Sequence, residues 1–243
     1  MFLAVDIGNT SINNGIFDGK NLKRTFRIPT YAKGLEALYG KKLNAVNAAV
    51  IVSVVPEILK KTEKIFLKIL DKVLVVGRDA DVGVKNLYKS PKQVGQDRLV
   101  NARAAYELYG GDCLIVDFGT ATTIDIVNSK RQYLGGVIAP GVELSLDALS
   151  EKTALLPKVR LRKPKSILGK ETRESMINGA VYGFSGLCDG VVARLRKERG
   201  IKGRVVATGG LSKLIGPYCE TVDIIDPELT LKGLRLIGAE NNV

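Results

Sequence analysis

Leu3-Ala4-Val5-Asp6-Ile7-Gly8-Asn9-Thr10-Ser11 and, 111 positions on, Leu114-Ile115-Val116-Asp117-Phe118-Gly119-Thr120-Ala121-Thr122 are two versions of one phrase. Each is an apolar run that ends in Asp, then Gly, then small hydroxyl or amide residues. A short apolar run closed by Gly reads as a buried strand entering a turn. A period near half the chain length predicts a duplicated domain rather than a solenoid, whose repeats are far shorter. If the halves face each other, two acidic strand ends and two small-residue loops converge on one cleft. Such a cleft suits a metal and a phosphate chain.

The bulk properties fit that expectation. A chain of 243 residues suits one large domain or two of ordinary size, and 45% hydrophobic residues supply a substantial core. The densest apolar run, Ala48 to Val55, stops at Pro56 and is far short of the ~20 residues a membrane span needs. The N-terminus enters its first strand without a basic leader, so the expectation is a cytoplasmic protein. Cys113, Cys188 and Cys219 are odd in number and widely spaced, and read as free thiols rather than a disulfide framework or zinc site. The chain has no His, which removes Ser-His-Asp triads and imidazole acid–base chemistry. Carboxylates, hydroxyls, Lys, Arg and bound metal must carry the chemistry. The net charge of +12 favours anionic partners. Its densest cluster, Lys158-Val159-Arg160-Leu161-Arg162-Lys163-Pro164-Lys165, lacks aromatic residues for base stacking. It is expected to be an exposed strand and loop, secondarily an anion-steering rim, with nucleic acid the least favoured partner.

Along the chain, Phe2–Val5, Ile12–Phe17 and Leu22–Ile28 read as an antiparallel meander with a tight turn at Asp18-Gly19. Ala48–Val55 and Val73–Val76 read as further strands, and Glu57–Leu70 and Leu99–Tyr109 as helices. The second half repeats the opening with strands at Leu114–Val116, Ile124–Val127 and Gln132–Leu134. A strand at Arg204–Ala207 then leads into Thr208-Gly209-Gly210 and a helix at Leu211–Ile215. The expected domains are residues 1–111 and 112–243.

Both acidic loops lead from strand to strand, whereas the glycine loop of a Rossmann or P-loop protein opens a helix. Gly169-Lys170-Glu171 is no P-loop, because the upstream Gly is missing and Glu stands where Ser or Thr belongs. Duplicated strand-loop-strand motifs with a later Gly-Gly turn resemble the acetate and sugar kinase/actin superfamily. Asp6-Ile7-Gly8-Asn9-Thr10, Gly95-Gln96-Asp97-Arg98 and Asp117-Phe118-Gly119-Thr120-Ala121-Thr122-Thr123 are similar to the three signature motifs of type III pantothenate kinases. Gly135-Gly136-Val137-Ile138-Ala139-Pro140-Gly141 is a fourth matching stretch, and the resemblance spans essentially the whole chain.

The resemblance implies an α/β fold of two duplicated actin-like, ribonuclease H-like domains facing across a nucleotide-binding cleft. It also implies ATP-dependent phosphorylation of pantothenate to 4′-phosphopantothenate, the first step towards coenzyme A, by a homodimer. ATP would be held by Asp6, Ile7, Gly8, Asn9, Thr10, Ser11, Ile12, Asn13 and Thr120. Pantothenate would be held by Tyr88, Gly95, Gln96, Asp97, Arg98 and Thr172. Asp97 would be the catalytic base, and Asp117 would hold a monovalent cation, K+ or NH4+. Asp6, at a strand end, suits Mg2+ bound through water, because that ion sheds its hydration shell reluctantly.

Plainer readings stand beside these. Asp97 precedes a helix and suits an N-cap, Thr172 suits a helix cap, Arg98 a surface ion pair and Tyr88 a boundary aromatic. Gln96 and Asn13-Asn14 depart from the family pattern: the first is longer than expected, and the second interrupts an apolar strand. The alternatives to a pantothenate kinase are a kinase for another small hydroxy acid or sugar, or a non-enzymatic transcription accessory protein of the same fold.

Overall fold

The computed structural model describes residues 1–40, 42, 43 and 45–243. Contacts divide it into two compact units, residues 1–104 with 229–243, and residues 105–228. The sequence-based division at 111/112 differs in two respects: the last helix belongs with the first unit, and the changeover falls inside a helix.

In the first unit, β1 (Phe2–Ile7), β2 (Ser11–Asp18) and β3 (Asn21–Pro29) form the expected meander. Helix α1 (Leu35–Gly40) leads to β4 (Ala48–Ser53), α2 (Pro56–Phe66) and β5 (Lys72–Val75). The strand order is β3-β2-β1-β4-β5, antiparallel across the meander and parallel from β1 to β5. Helix α2 begins with Pro56 at its first turn, where a missing N–H costs nothing, and carries a Glu57–Lys61 pair one turn apart. One face of the sheet, with Leu3, Val5, Ile7, Ile12 and Ile51, packs on Tyr39, Ile58 and Phe66 from α1 and α2. A two-residue strand β6 (Lys85–Asn86) precedes α3 (Gln96–Tyr109).

The second unit repeats the plan. Strands β7 (Cys113–Phe118), β8 (Ala121–Val127) and β9 (Gln132–Pro140) form the meander. Helices α4 (Val142–Lys152) and α5 (Thr172–Arg199) precede β10 (Arg204–Thr208), α6 (Ser212–Ile215) and β11 (Ile224–Ile225). The order β9-β8-β7-β10-β11 and its strand directions match the first sheet. Both meanders carry a bulge at the same place, between Ile16 and Phe17 and between Ile126 and Val127. The loop after the acidic strand is one residue shorter in the second copy, because Ile7 pairs with Ile12 but Phe118 with Thr122. The last helix, α7 (Leu229–Glu240), returns to pack on β1, β2 and β4.

Several expectations change. Helices α1, α4, α5 and α7 were not legible as helices. Strand β9 runs six residues beyond Leu134, and α2 ends at Phe66 rather than Leu70. The basic segment 158–165 forms no strand; it is extended chain that turns Val159 and Leu161 onto the second core and leaves Lys158, Arg160 and Arg162 exposed. The interruption at Asn13-Asn14 does not open β2. Asn14 is fully buried, donates to the Ile12 carbonyl at 3.1 Å, and accepts the Tyr39 hydroxyl at 3.1 Å. A buried amide with its bonds made is stable where an unpaired one is not. No described helix is long and apolar enough to cross a membrane.

Candidate active site

In the first unit, Asp6 is the penultimate residue of β1, and the turn that follows closes through the Gly8 N–H donating to the Ser11 carbonyl at 3.1 Å. Thr30 fastens the loop from β3's end, its hydroxyl donating to the Gly8 carbonyl at 2.7 Å and its N–H to Thr10 at 3.2 Å. The loop residues Asn9, Thr10 and Ser11 lie at the surface, while Ile7 and Ile12 are fully buried in the core. Their side chains belong to the first core cluster.

Asp6 does not stand alone. The Asn13 amide donates to its Oδ2 at 3.0 Å, and the Arg27 Nε–H donates to the Asn13 Oδ1 at 2.9 Å. Burial pushes the Asp6 carboxyl up to about 6; the Asn13 hydrogen bond opposes this, the charge of Asp97 adds to it and Arg27 lowers it. Asp6 and Asp97 are therefore electrostatic neighbours although 91 residues separate them.

Asp97 lies inside the first turn of α3, which begins at Gln96, so it is not the N-cap. Its Oδ1 accepts the Arg98 N–H at 2.9 Å and occupies the space a Cβ on Gly95 would fill. A side chain at position 95 would have to displace the Asp97 carboxylate. Arg98 is buried, which replaces the expected surface ion pair. The long side chain of Gln96 lies over Gly77, where a Cβ would come within 2.7 Å of its Cδ, so the departure from the family pattern is absorbed by a glycine turn. Tyr88 is half-buried, and its N–H is held by the Asn86 Oδ1 at 2.9 Å.

The second unit carries Asp117, Thr120 and Thr172. Asp117, the penultimate residue of β7, is half-buried, in register with Thr123 on one side and Thr208 on the other. Its Oδ1 lies against Gly209, whose φ of +88° and lack of a Cβ leave the room it needs. The Thr208 hydroxyl is fully buried and has no hydrogen-bond partner among the described residues. Thr123 donates to the Asp125 Oδ2 at 3.2 Å, and the Tyr133 hydroxyl donates to the Asp125 Oδ1 at 2.7 Å. Thr120 is exposed in the loop, and Gly141 packs so closely on its carbonyl that a Cβ could not be placed there. Thr172 is the exposed first residue of α5, one place beyond the cap position, which Glu171 holds.

Asp6, Asn13 and Asp97 thus come together in one unit, and Asp117 and Thr120 share one loop of the other. Sequence reasoning missed Arg27, Thr30 and Thr208. A register count along the first hairpin finds Arg27 only if the bulge is known, since without it Phe26 would face Asn13. The fold also brings Cys188 and Cys219 together: their sulfurs and an Asp189 carboxylate oxygen lie within 4.8 Å of one another. Asp189 is already engaged, accepting from the N–H groups of Glu220 and Thr221 and from the Thr221 hydroxyl.

Solved structures carry the same architecture across the whole chain. A Campylobacter jejuni protein described as a Baf family transcriptional activator superposes with a TM-score of 0.61 at 20% identity, covering 99% of each chain. A ROK family glucokinase from Streptomyces griseus, solved with glucose and AMPPNP, gives 0.53 at 13% identity, covering 98% of this chain and 99% of its own. At these identities the likeness speaks to fold alone, and with the duplicated sheets it defines the class: a two-unit α/β protein with the fold of a sugar kinase. The type III pantothenate kinase family model matches residues 2–194. The type III pantothenate kinase of Moorella thermoacetica is 42% identical over 99% of this chain and 100% of its own length. The chain belongs to the type III pantothenate kinase family.

Proposed function

We propose that this chain transfers the γ-phosphoryl group of ATP to the terminal hydroxyl of pantothenate, with Asp97 as the base and the Asp6 loop holding Mg-ATP. The observation that carries this is the pairing of Asp97 with Asp6 on a glycine-shaped turn. Asp97 takes the hydroxyl proton as the oxygen attacks the γ-phosphorus and ADP leaves. Phosphoryl transfer asks little of the base's strength, because its loose transition state demands orientation and charge stabilisation above all. Gly8 allows the backbone close to phosphate, and Asn9, Thr10, Ser11 and Thr120 offer donors. Gly95, Gln96, Arg98, Tyr88 and Thr172 seat pantothenate, with the Arg98 fork matched to its carboxylate.

The donor sets suit the ions this chemistry uses. Asp6 has one oxygen hydrogen-bonded by Asn13 and suits a hydrated Mg2+, which would neutralise charge on the β- and γ-phosphates. Asp117 suits K+ or NH4+, since a buried hydroxyl and a glycine cradle flank it.

The active form is a homodimer. On α5, Gly179, Gly183, Gly186 and Gly190 form one exposed stripe with open space where each Cβ would be. Nearby in sequence, Ile138, Leu144, Leu149, Leu155, Ile167 and Leu168 are exposed apolar residues of the same unit. A stripe without side chains lets a second helix approach closely. Gly183→Ala raises helix propensity, and Gly183→Leu adds bulk to a position where a Cβ meets no neighbour in the monomer, so sedimentation of Gly183→Leu should show a well-folded monomer in place of a dimer. The activity itself is tested by pantothenate-dependent ADP release with Mg-ATP and K+. A folded wild type without turnover on pantothenate, but active on another hydroxy acid, would reassign the substrate.

A further inference from the structure

A buried hydroxyl with no partner costs roughly 1–3 kcal/mol, and one that stands beside a carboxylate has an oxygen to offer a shared ligand. Thr208 is such a residue, with 0% exposure and no partner for Oγ1 among the described residues. Its strand runs parallel to β7, and the register sets it directly beside Asp117. Residues in register across neighbouring strands share a face, so hydroxyl and carboxylate project from the same side of the sheet. The carboxylate leans towards that strand, because a Cβ on the next residue, Gly209, would run into the Asp117 Oδ1. On the other flank Thr123 is also in register with Asp117, and its proton is spent on the Asp125 Oδ2 at 3.2 Å. That bond leaves the Thr123 lone pairs available.

The surroundings therefore offer one carboxylate and two neutral hydroxyl oxygens. An anion would be repelled, and Mg2+ demands a tight octahedral shell that a strand-end row of side chains does not supply. A singly charged ion with loose, oxygen-rich coordination fits. We infer that the Thr208 hydroxyl oxygen is a ligand, beside Asp117, of a monovalent-cation site at the ends of β7, β8 and β10. The inference rests on the assignment of Asp117 to the monovalent cation. The first unit marks the contrast: the residue in register with Asp6 on the parallel strand is Val52, which has no oxygen to offer.

The test is a thermal melt of the full chain without nucleotide, titrated with KCl against choline chloride at constant ionic strength. The variants are Thr208→Val, Thr208→Ser, Asp117→Asn and Thr122→Val. Thr122 is the control, because its hydroxyl is equally buried and partnerless but it pairs with Phe118 and so faces the opposite side of the sheet. The wild type should show a saturable rise in melting temperature specific to K+, by mass action. Thr208→Val should need at least tenfold more K+, while Thr208→Ser and Thr122→Val stay within about threefold of wild type. In choline alone Thr208→Val should melt no lower than wild type, since it removes an unpaired buried hydroxyl. Wild-type K+ response in Thr208→Val, together with its loss in Asp117→Asn, would overturn the role of Thr208 and leave Asp117 in place. No K+-specific response in the wild type would overturn the Asp117 assignment and the inference with it.

Discussion

The two sheets share strand order, strand directions and bulge position, yet the rows of residues across their acidic strand ends differ completely. In the first unit the row reads Arg27, Asn13, Asp6, Val52. In the second it reads Ile138, Thr123, Asp117, Thr208. In the first row Asn13 donates to the carboxylate and Arg27 donates to Asn13, and a second carboxylate, Asp97, is an electrostatic neighbour. The second surrounds its carboxylate with hydroxyl oxygens. One backbone thus carries two chemistries, decided by which three side chains stand next to an Asp.

The sharpest way to break the comparison is to remove Asp97, the proposed base beside the first row. Asp97→Asn should lower pantothenate-dependent ADP release by about 100-fold or more, with an unchanged melting temperature. Survival of turnover would reduce Asp97 to a helix-start residue.

Asp6→Asn comes next. Activity should fall about 10–100-fold, chiefly in the dependence on Mg-ATP. Stability should move the other way. Because the folded carboxyl titrates near 6 rather than at 3.8, the folded chain binds more protons than the unfolded chain between those values. Its contribution is fully present below about 3.8 and is lost as pH rises through about 6. Asp6→Asn should therefore melt above wild type at pH 8 and level with it near pH 4, a trade of stability for function that melts at both pH values would expose. Wild-type activity should correspondingly decline as the pH drops through about 6.

Arg27→Met sharpens the same row. Arg27 lowers the Asp6 carboxyl, so its loss should move the acid limb of the pH–rate profile upward and reduce activity by about tenfold or less. The smallest functional effect belongs to Tyr39→Phe. It leaves the buried Asn14 Oδ1 without its hydroxyl donor, so thermal melts should reveal a loss of about 1–3 kcal/mol while KM values stay unchanged.

The repeated phrase made the duplicated architecture legible, because strand ends, glycines and hydroxyl loops are local signals. The motif residues were legible through the same phrase and its family resemblance. What stayed hidden depends on distance. Thr208 lies 91 residues from Asp117, and a parallel register across a crossover leaves no local trace. Helix α5 was masked by Gly179, Gly183, Gly186 and Gly190, each costing about 1 kcal/mol of helix propensity. The bulge between Ile16 and Phe17 hid Arg27 by shifting the count by one. Asn14 looked like an interruption because its partner, Tyr39, sits on a helix 25 residues away.

The return of α7 to the first sheet has a consequence for how the chain is made. Gly238 packs against Val50 and Phe2, and Gly233 against Val100, so β1 and β4 are covered by a helix made after the whole second unit. Domains usually fold in the order they leave the ribosome. Here the unit that carries Asp6 and Asp97 waits for α7, and the unit between residues 105 and 228 is complete first. A chain truncated or stalled before α7 would carry a finished second unit and an unfinished first one, with its sheet exposed to proteases and chaperones.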